Sequence, residues 1–481
     1  MTSNPKSETP CIEPSSNHST VTVTPGGPVL GSIRPPGSKS LTNRALICAA
    51  VASGTSRLTG ALVSEDTEVM IESLRRVGIT AELSDAGRTI TVHPSTARHL
   101  KTTLQDQVEL YIANSGTSVR FLTAMLSAIG GNYRLTGLPR MHERPIGDLT
   151  EAIAAVVDGS ITTESPNQCP PVLIESRGWK EGRLSVAGSV SSQYLSGLMM
   201  AAAIELQGVD HDGGSKGVPS ISIEVLGELV SRPYVEMTAQ VMRSFGAEVS
   251  LIETKTSEMP HSNDGPSLTV QIVPSGYRAL EYAIEPDASA ASYFWAAAAI
   301  TGGTVEVLGL TPDAMQGDVG FCQVLEKMGC QLTVGANSMT ISGRAEKGID
   351  VDMNAISDTV QTLAVVAMFA EGPTRIRGVA HNRYKETDRI GDLACELRKL
   401  GAEVLEHEDG LTIQANPNVL TGNLLETYND HRMAMSLSLA GLRIPGVQIS
   451  NPSCTGKTYP NFFADLERMI GRPHHWTSGE E

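Results

Sequence analysis

Leu74-Arg-Arg-Val-Gly-Ile-Thr-Ala-Glu-Leu83 has counterparts at Met242-Arg-Ser-Phe-Gly-Ala-Glu-Val249, Leu325-Glu-Lys-Met-Gly-Cys-Gln-Leu332 and Leu397-Arg-Lys-Leu-Gly-Ala-Glu-Val404. Each reads as the last turn of a helix, a glycine and the start of a strand. A glycine at Gly78, Gly246, Gly329 or Gly401 takes the left-handed conformation that ends a helix without a Cβ clash. The basic residues before it face the negative end of the helix dipole. An alternating run follows each time, at Thr89-Ile-Thr-Val92, Leu268-Thr-Val-Gln-Ile272, Met339-Thr-Ile341 and Leu411-Thr-Ile413, with the period of a half-buried strand. A weaker fifth copy runs through Asp148–Val157, with Gly159 in the glycine role and Pro170-Pro-Val-Leu-Ile174 as its strand. A sixth ends at Leu466-Glu-Arg-Met-Ile-Gly471. Five or six such units predict a repeat-built α/β fold. A doubly wound sheet does not fit, because a hairpin-like strand pair follows each helix.

The 481 residues suffice for two large domains or three smaller ones. Net charge is −16 and aromatics make up only 4%. Both argue against nucleic acid as a partner, since binding it rests on cations and stacking rings. No apolar run reaches the roughly 18 residues of a membrane span. The first 20 residues show no signal-peptide core, so a cytoplasmic chain is expected. Residues 1–18 and the last few, from about 476, read as tails. The polar stretches at 208–220 and 254–266 read as surface insertions. The seven cysteines form no CxxC pair, the histidines form no HExxH, and neither a disulfide framework nor a metal site is expected.

Several small-residue turns open apolar helices and carry cations. Gly37-Ser-Lys-Ser40 precedes the helix Leu41–Val51 with Arg44, although the nucleotide-loop pattern GxxxxGK[ST] fails. Free N–H groups and the dipole still suit an anion there, with Lys39 adding charge. Asn114-Ser-Gly-Thr117 opens a helix bearing Arg120, and Gly188-Ser-Val-Ser-Ser-Gln-Tyr194 opens another. Ser231-Arg-Pro-Tyr234 is similar, and Arg144 stands in His142-Glu-Arg-Pro-Ile146. Each is also readable as an ordinary capping turn or surface charge. In Arg383-Tyr-Lys-Glu-Thr-Asp-Arg-Ile390 the spacing predicts a helix with Lys385 and Arg389 on one face and Glu386 beside them. A solvated charged helix is the plain alternative. Asp430, His431 and Arg432 begin another apolar segment, and Lys457 sits in Cys454-Thr-Gly-Lys-Thr458. An acidic chain that gathers Lys39, Arg44, Arg120, Arg144, Lys385, Arg389, Arg432 and Lys457 at helix starts is built to bind more than one phosphate or carboxylate.

Pro36-Gly-Ser-Lys-Ser-Leu-Thr-Asn-Arg-Ala45, Asn114-Ser-Gly-Thr117, Glu143-Arg-Pro-Ile146, Ser189-Val-Ser-Ser-Gln193, Lys385-Glu-Thr-Asp-Arg389, Asp430-His-Arg-Met-Ala434 and Thr455-Gly-Lys-Thr458 stand in one order along the chain. That order resembles the 5-enolpyruvylshikimate-3-phosphate synthase family of enolpyruvyl transferases, from about residue 20 to 470. The resemblance implies a two-domain inside-out α/β barrel, each domain three repeated βαβαββ-type units around a pseudo-threefold axis. It implies one discontinuous domain at 19–35 plus 285–475 and a second at 36–284, with the active site between them. The implied reaction moves the enolpyruvyl group of phosphoenolpyruvate to the 5-hydroxyl of shikimate 3-phosphate and releases phosphate. It needs no cofactor and no metal, and its partners are these two small molecules, acting on a monomer.

The same resemblance implies roles. Lys39, Ser40, Arg44, Ser191, Ser192, Gln193, Ser231, Tyr234, Asp358, Asn382 and Lys385 resemble contacts to shikimate 3-phosphate. Lys39, Asn114, Gly116, Thr117, Arg144, Gln193, Arg389, Arg432 and Lys457 resemble the phosphoenolpyruvate cradle. Asp358 resembles the carboxylate beside the 5-hydroxyl, the expected base, and Glu386 the group that protonates C3. Lys39 and His431 complete the expected catalytic set. Two positions depart from the family. His381 stands four residues before Lys385, where the family often has Asn, so Asn382 is the substitute. Phe121 stands where relatives often carry Pro, which bears on sensitivity to glyphosate, a phosphoenolpyruvate mimic. Two alternatives remain. One is the sister transferase acting on UDP-N-acetylglucosamine, whose loop cysteine has no counterpart near Arg144. The other is a non-catalytic phosphometabolite-binding protein.

Overall fold

The computed structural model describes residues 19–94, 106–189, 191–206, 220–253 and 266–478. The 1–18 tail, 479–481 and all but the last residue of each polar stretch, 208–220 and 254–266, lie outside the described residues. The chain divides into two compact units. Unit 1 is Met1–Pro36 with Glu285–Glu481, and unit 2 is Gly37–Ile284.

Each unit contains three four-stranded sheets of one topology: a parallel pair extended by two antiparallel strands. In unit 2, Val108–Tyr111 runs parallel to Gly131–Thr136, which pairs antiparallel with Val172–Trp179, itself antiparallel to Val157–Thr163. The helix Gly116–Ile129 joins the first two strands, and Gly147–Ala154 leads into the hairpin. The order is therefore strand, helix, strand, helix, hairpin. Gly182–Ala187 begins a second copy, parallel to Ile221–Leu226. The third begins with Glu281–Ala283, parallel to Ser56–Thr59, so the end of unit 2 supplies the first strand of its own opening repeat. Unit 1 does likewise. Leu30–Ile33 is parallel to Thr304–Leu308, Asp350–Asp352 to Pro373–Arg377, and Leu424–Leu425 to Gln448–Ser450. The last of these sheets borrows Thr20–Thr22, which lies between Gln448–Ser450 and His475–Thr477.

The two helices of a repeat differ in kind. The first is apolar on nearly all sides and buried: Lys39–Ala50, Gly116–Ile129, Ser192–Ala202, Ala288–Thr301, Val360–Ala367 and His431–Ser438. A helix without a polar face is stable only inside a core. Ala288–Thr301 shows why alanine dominates there, because small side chains leave room for Trp295, whose Nε1 donates to the Met339 carbonyl at 3.1 Å. The second helix of a repeat is amphipathic and half exposed, as in Glu65–Arg76 and Arg232–Ser244.

Four of these second helices end as the sequence predicts. Gly78, Gly246, Gly329 and Gly401 have φ of 87°, 84°, 113° and 90°. In each, the N–H of the residue after the glycine reaches back to the carbonyl five residues earlier, for example Ile79 to Leu74 at 2.9 Å and Ala402 to Leu397 at 3.2 Å. The paired bonds satisfy carbonyls that a helix end leaves open. The basic residue acts differently from the dipole argument. The guanidinium groups of Arg75, Arg243 and Arg398 fork onto the carbonyls of Ala81, Val249 and Val404, tying each helix end to the strand beyond it. The weak fifth copy is corrected. Gly159 lies inside a strand, where the register shifts between Val157 and Gly159 and an added Cβ would strike the Glu175 carbonyl. Cys48, Cys169, Cys322, Cys330 and Cys454 are free thiols.

Candidate active site

The helix starts that carry the sequence motifs all follow the carboxyl ends of strands in the parallel pairs, where α/β folds place ligands. Five of eight non-glycine residues with positive φ among the described residues stand within three positions of these motifs. They are Ala113, Ser231, Tyr428, Asn429 and Asn451, with φ from 46° to 54°. Backbone strain of this kind persists only where the surroundings enforce it, and it gathers at functional segments.

In unit 2, serines do cap the helices. Ser38, Ser115 and Ser191 accept from the N–H groups of Leu41, Ser118 and Gln193. Lys39, 9% exposed at the first turn of its helix, pairs with Asp66 at 3.2 Å. Arg44 is held on every side. Nε donates to Thr238 Oγ1 at 2.7 Å, Nη1 to the Ser40 carbonyl at 2.9 Å, and Nη2 to Ser196 Oγ at 3.2 Å and the Tyr234 carbonyl at 3.4 Å. Its guanidinium lies 5.2 Å from the Phe121 ring and 5.9 Å from that of Tyr234. Burial lowers it to about 10. Phe121 is therefore a packing surface for a cation, which a proline would not provide.

A second network joins the starts of two helices. Arg120 Nη1 donates to Gln193 Oε1 at 2.9 Å, and Gln193 Nε2 to Thr117 Oγ1 at 3.4 Å. Arg144 Nη1 donates to the Asn114 carbonyl and Oδ1 at 3.2 and 3.3 Å. Gly116 lies beneath both arginines. A Cβ there would fall 2.6 Å from Arg120 Nη1 and closer still to Arg144 Nη2. Gly116→Ala is expected to push both side chains aside and raise the KM for an anionic substrate about tenfold, with a smaller change in kcat. Steady-state kinetics of the variant checks this. Ser192 and Ser231 are buried, and Ser40, Ser191, Gln193 and Tyr234 half-buried, at these same helix starts.

In unit 1, three cations interlock with three carboxylates. Arg389 grips Asp430 with two bonds, at 2.7 and 3.1 Å, and meets Glu386 at 2.8 Å and Asp358 at 3.4 Å. Arg432 reaches Asp358 Oδ2 at 2.7 Å and its carbonyl at 3.2 Å. Lys457 donates to Glu386 Oε1 at 3.0 Å. Burial works against the charge on Arg389, but Asp430 and Glu386 hold its guanidinium above the ordinary value. Asp430 also caps the helix His431–Ser438 by accepting from the Arg432 N–H at 2.8 Å. His431 is buried, its Nδ1 3.7 Å from Asp430.

One expectation fails here. Residues 385–390 are not helical, and the next helix is Gly391–Lys399. The loop is closed by the Arg389 N–H on the Asn382 carbonyl and by Arg383 bridging Asp388 and Glu406. Asp388 accepts from the N–H groups of Ile390 and Gly391. Local charge spacing favoured a helix, but burial of Arg389 against Asp430 draws the segment into a loop. Lys385 is half-buried there in an extended conformation. The Asn382 side chain is fully buried and its Nδ2 donates to the Ser357 carbonyl at 3.0 Å. The neighbouring His381 is also buried. Burial lowers it to about 3, aided by Lys385 and opposed by Asp358, so it stays neutral at working pH.

Sequence reading missed Asp66, Ser196 and Thr238, which hold Lys39 and Arg44, and left Asp430 without a role. No group of three or more His, Cys, Asp or Glu fit for a metal ion occurs among the described residues.

Comparison with known proteins gives the family. The sequence model of EPSP synthase (3-phosphoshikimate 1-carboxyvinyltransferase) matches residues 23–466. A 3-phosphoshikimate 1-carboxyvinyltransferase of Pseudoalteromonas atlantica is 41% identical over 92% of this chain and 96% of its own length. That of a Sulfurovum species is 42% identical over 93% and 99%. Among solved structures, an EPSP synthase from Acinetobacter baumannii superposes with a TM-score of 0.73 at 25% identity, over 96% of this chain and 100% of its own. The enolpyruvyl transferase NikO from Streptomyces tendae shares the fold, with a TM-score of 0.69 at 20% identity over 96% and 100% of the two chains. With the family pattern matched from residue 23 to residue 466 and such relatives aligned nearly end to end, the chain belongs to the EPSP synthase family.

Proposed function

We propose that the chain transfers the enolpyruvyl group of phosphoenolpyruvate to the 5-hydroxyl of shikimate 3-phosphate, releasing phosphate, in the shikimate pathway to aromatic amino acids. The observation that carries the reading is the pairing of cations with carboxylates at Asp358, Glu386, Arg389, Arg432 and Lys457. It is joined by the family match. We take each unit as one enolpyruvyl transferase domain, both supplying residues to one reaction.

In this reading Arg44, Ser40, Ser191, Ser192, Gln193, Ser231 and Tyr234 take the phosphorylated acceptor, with Asp358, Asn382 and Lys385. Lys39, Asn114, Gly116, Thr117, Arg144, Gln193, Arg389, Arg432 and Lys457 hold phosphoenolpyruvate. Asp358 removes the proton of the 5-hydroxyl as its oxygen bonds to C2. Glu386 delivers a proton to C3, which becomes a methyl group. Lys457 holds Glu386 in place at 3.0 Å. The tetrahedral adduct then returns a methyl proton to the ionised Glu386 as the bond from C2 to the phosphate oxygen breaks, restoring the double bond, and the proton held by Asp358 leaves with the phosphate. The cations stabilise charge on the departing phosphate. No step calls for a metal or redox cofactor. His431, buried beside Asp430, is placed to steady the helix start more than to move a proton. The reading also carries a monomeric, cytoplasmic enzyme, which sedimentation and fractionation test.

Running the reaction in deuterium oxide tests the chemistry. Deuterium is expected at C3 of the product, because the methyl intermediate mixes its hydrogens. Product with no deuterium at C3 contradicts addition and elimination. Glu386→Gln is expected to lower kcat about a hundredfold with a smaller effect on substrate binding. A binding protein would lose no turnover, having none.

A further inference from the structure

Each repeat offers two helix starts at strand ends. In unit 1 two repeats use both, one with Asp358 and the Lys385–Arg389 loop, the other with Asp430–Arg432 and Lys457. The remaining repeat has its starts at Asp287–Ser289 and Gly317–Gly320, and the proposed reaction assigns nothing there. The polar groups at these starts nevertheless meet. Ser289 Oγ donates to Asp318 Oδ2, and Asp318 is 4% exposed. The adjacent Gln316 fixes the segment, accepting from the Ala288 N–H at 3.0 Å and donating to the Pro286 carbonyl at 2.7 Å. The turn Gly317–Gly320 packs on Asn354–Thr359, which carries Asp358, the partner of Arg432. The charged groups facing Asp318 are Asp358 from that turn, Arg432 from the helix His431–Ser438, and Asp287 at the start of Ala288–Thr301.

We propose that Asp318 is a positioning residue for the anion-binding end of unit 1, on the reading of the reaction given above. Neutral, it leaves Arg432 to Asp358 and the substrate anion; ionised, it draws on the same guanidinium and weakens anion binding. Burial raises the Asp318 carboxyl to about 7, Asp358 pushes it the same way, and Ser289 and Arg432 oppose them. Burial thus moves the Asp318 midpoint toward neutral pH. Because the two events are linked, anion binding favours the neutral carboxyl and ionisation disfavours the anion by the same factor. The sign follows: affinity for phosphoenolpyruvate falls as pH rises through the Asp318 midpoint.

Asp318→Asn fixes the neutral state and keeps an acceptor for Ser289. The ratio of kcat/KM for phosphoenolpyruvate, variant over wild type, is free of the substrate's own ionisation. Between about pH 6 and about pH 8.5 this ratio is expected to rise about fivefold. Ser289→Ala removes a bond that favours the ionised form, so the wild-type fall should move to higher pH. A flat ratio in folded Asp318→Asn overturns the proposal. If that variant does not fold, an unmoved midpoint in Ser289→Ala overturns it. Calorimetric binding of phosphoenolpyruvate at the same pH values separates this from failure of the reaction itself. A pH-dependent binding ratio without turnover keeps Asp318 and sinks the reaction, and a flat ratio with turnover does the reverse.

Discussion

Asp358→Asn is expected to lower kcat by about a thousandfold, the scale of a lost general base. Among the three carboxylates of this cluster, Asp358 keeps the most exposed side chain, 17% against 9% for Glu386 and 0% for Asp430. It therefore has a face left for a substrate while Arg432 and Arg389 hold its oxygens. Asparagine keeps the size and one acceptor oxygen for those arginines, so the substitution removes proton acceptance more than packing. Binding of shikimate 3-phosphate should change by less than tenfold, and steady-state kinetics with calorimetry checks both. A kcat within threefold of wild type would mean that another group takes the proton.

The second large effect is on stability. Asp430 is wholly buried, and its two oxygens satisfy Arg389 Nε and Nη2 while one also caps a helix. Removing it leaves Arg389 to Glu386 and Asp358 alone, without its two-bonded counterion, which costs up to about 3–5 kcal/mol. Asp430→Ala should lower the unfolding midpoint of the protein by about 3–5 °C, measured by calorimetry. Asp430→Asn retains the cap and one acceptor, so it should cost distinctly less. If the two variants melt together, the ion pair, not the cap, is what Asp430 contributes. Arg389 would also be freer to move in both, and the KM for phosphoenolpyruvate should rise with the loss of stability.

These carboxylates mark the limit of what the chain's order of residues reveals. The glycine caps at Gly78, Gly246, Gly329 and Gly401 are legible because the bonds that make them span only five residues. Gly159 looked alike, but its conformation is set by a strand partner at Ser176, not by a helix before it. The short strands Thr20–Thr22 and Glu281–Ala283 were missed for the same reason, since each is defined by a partner over two hundred residues away. In the site, cations in small-residue turns stand out locally. What fixes them does not: Asp66 is 27 positions from Lys39, Thr238 lies 194 from Arg44, and Asp430 is 41 from Arg389. The Lys385–Arg389 segment misled because the i, i+4 spacing suits a helix, whereas the buried ion pair decides the backbone.

The most direct measurement is phosphate release from phosphoenolpyruvate with shikimate 3-phosphate or UDP-N-acetylglucosamine as acceptor. Release with shikimate 3-phosphate alone is the expected result. Release with the sugar nucleotide alone would contradict the acceptor assignment, and release with neither, from folded protein, would contradict the enzyme itself.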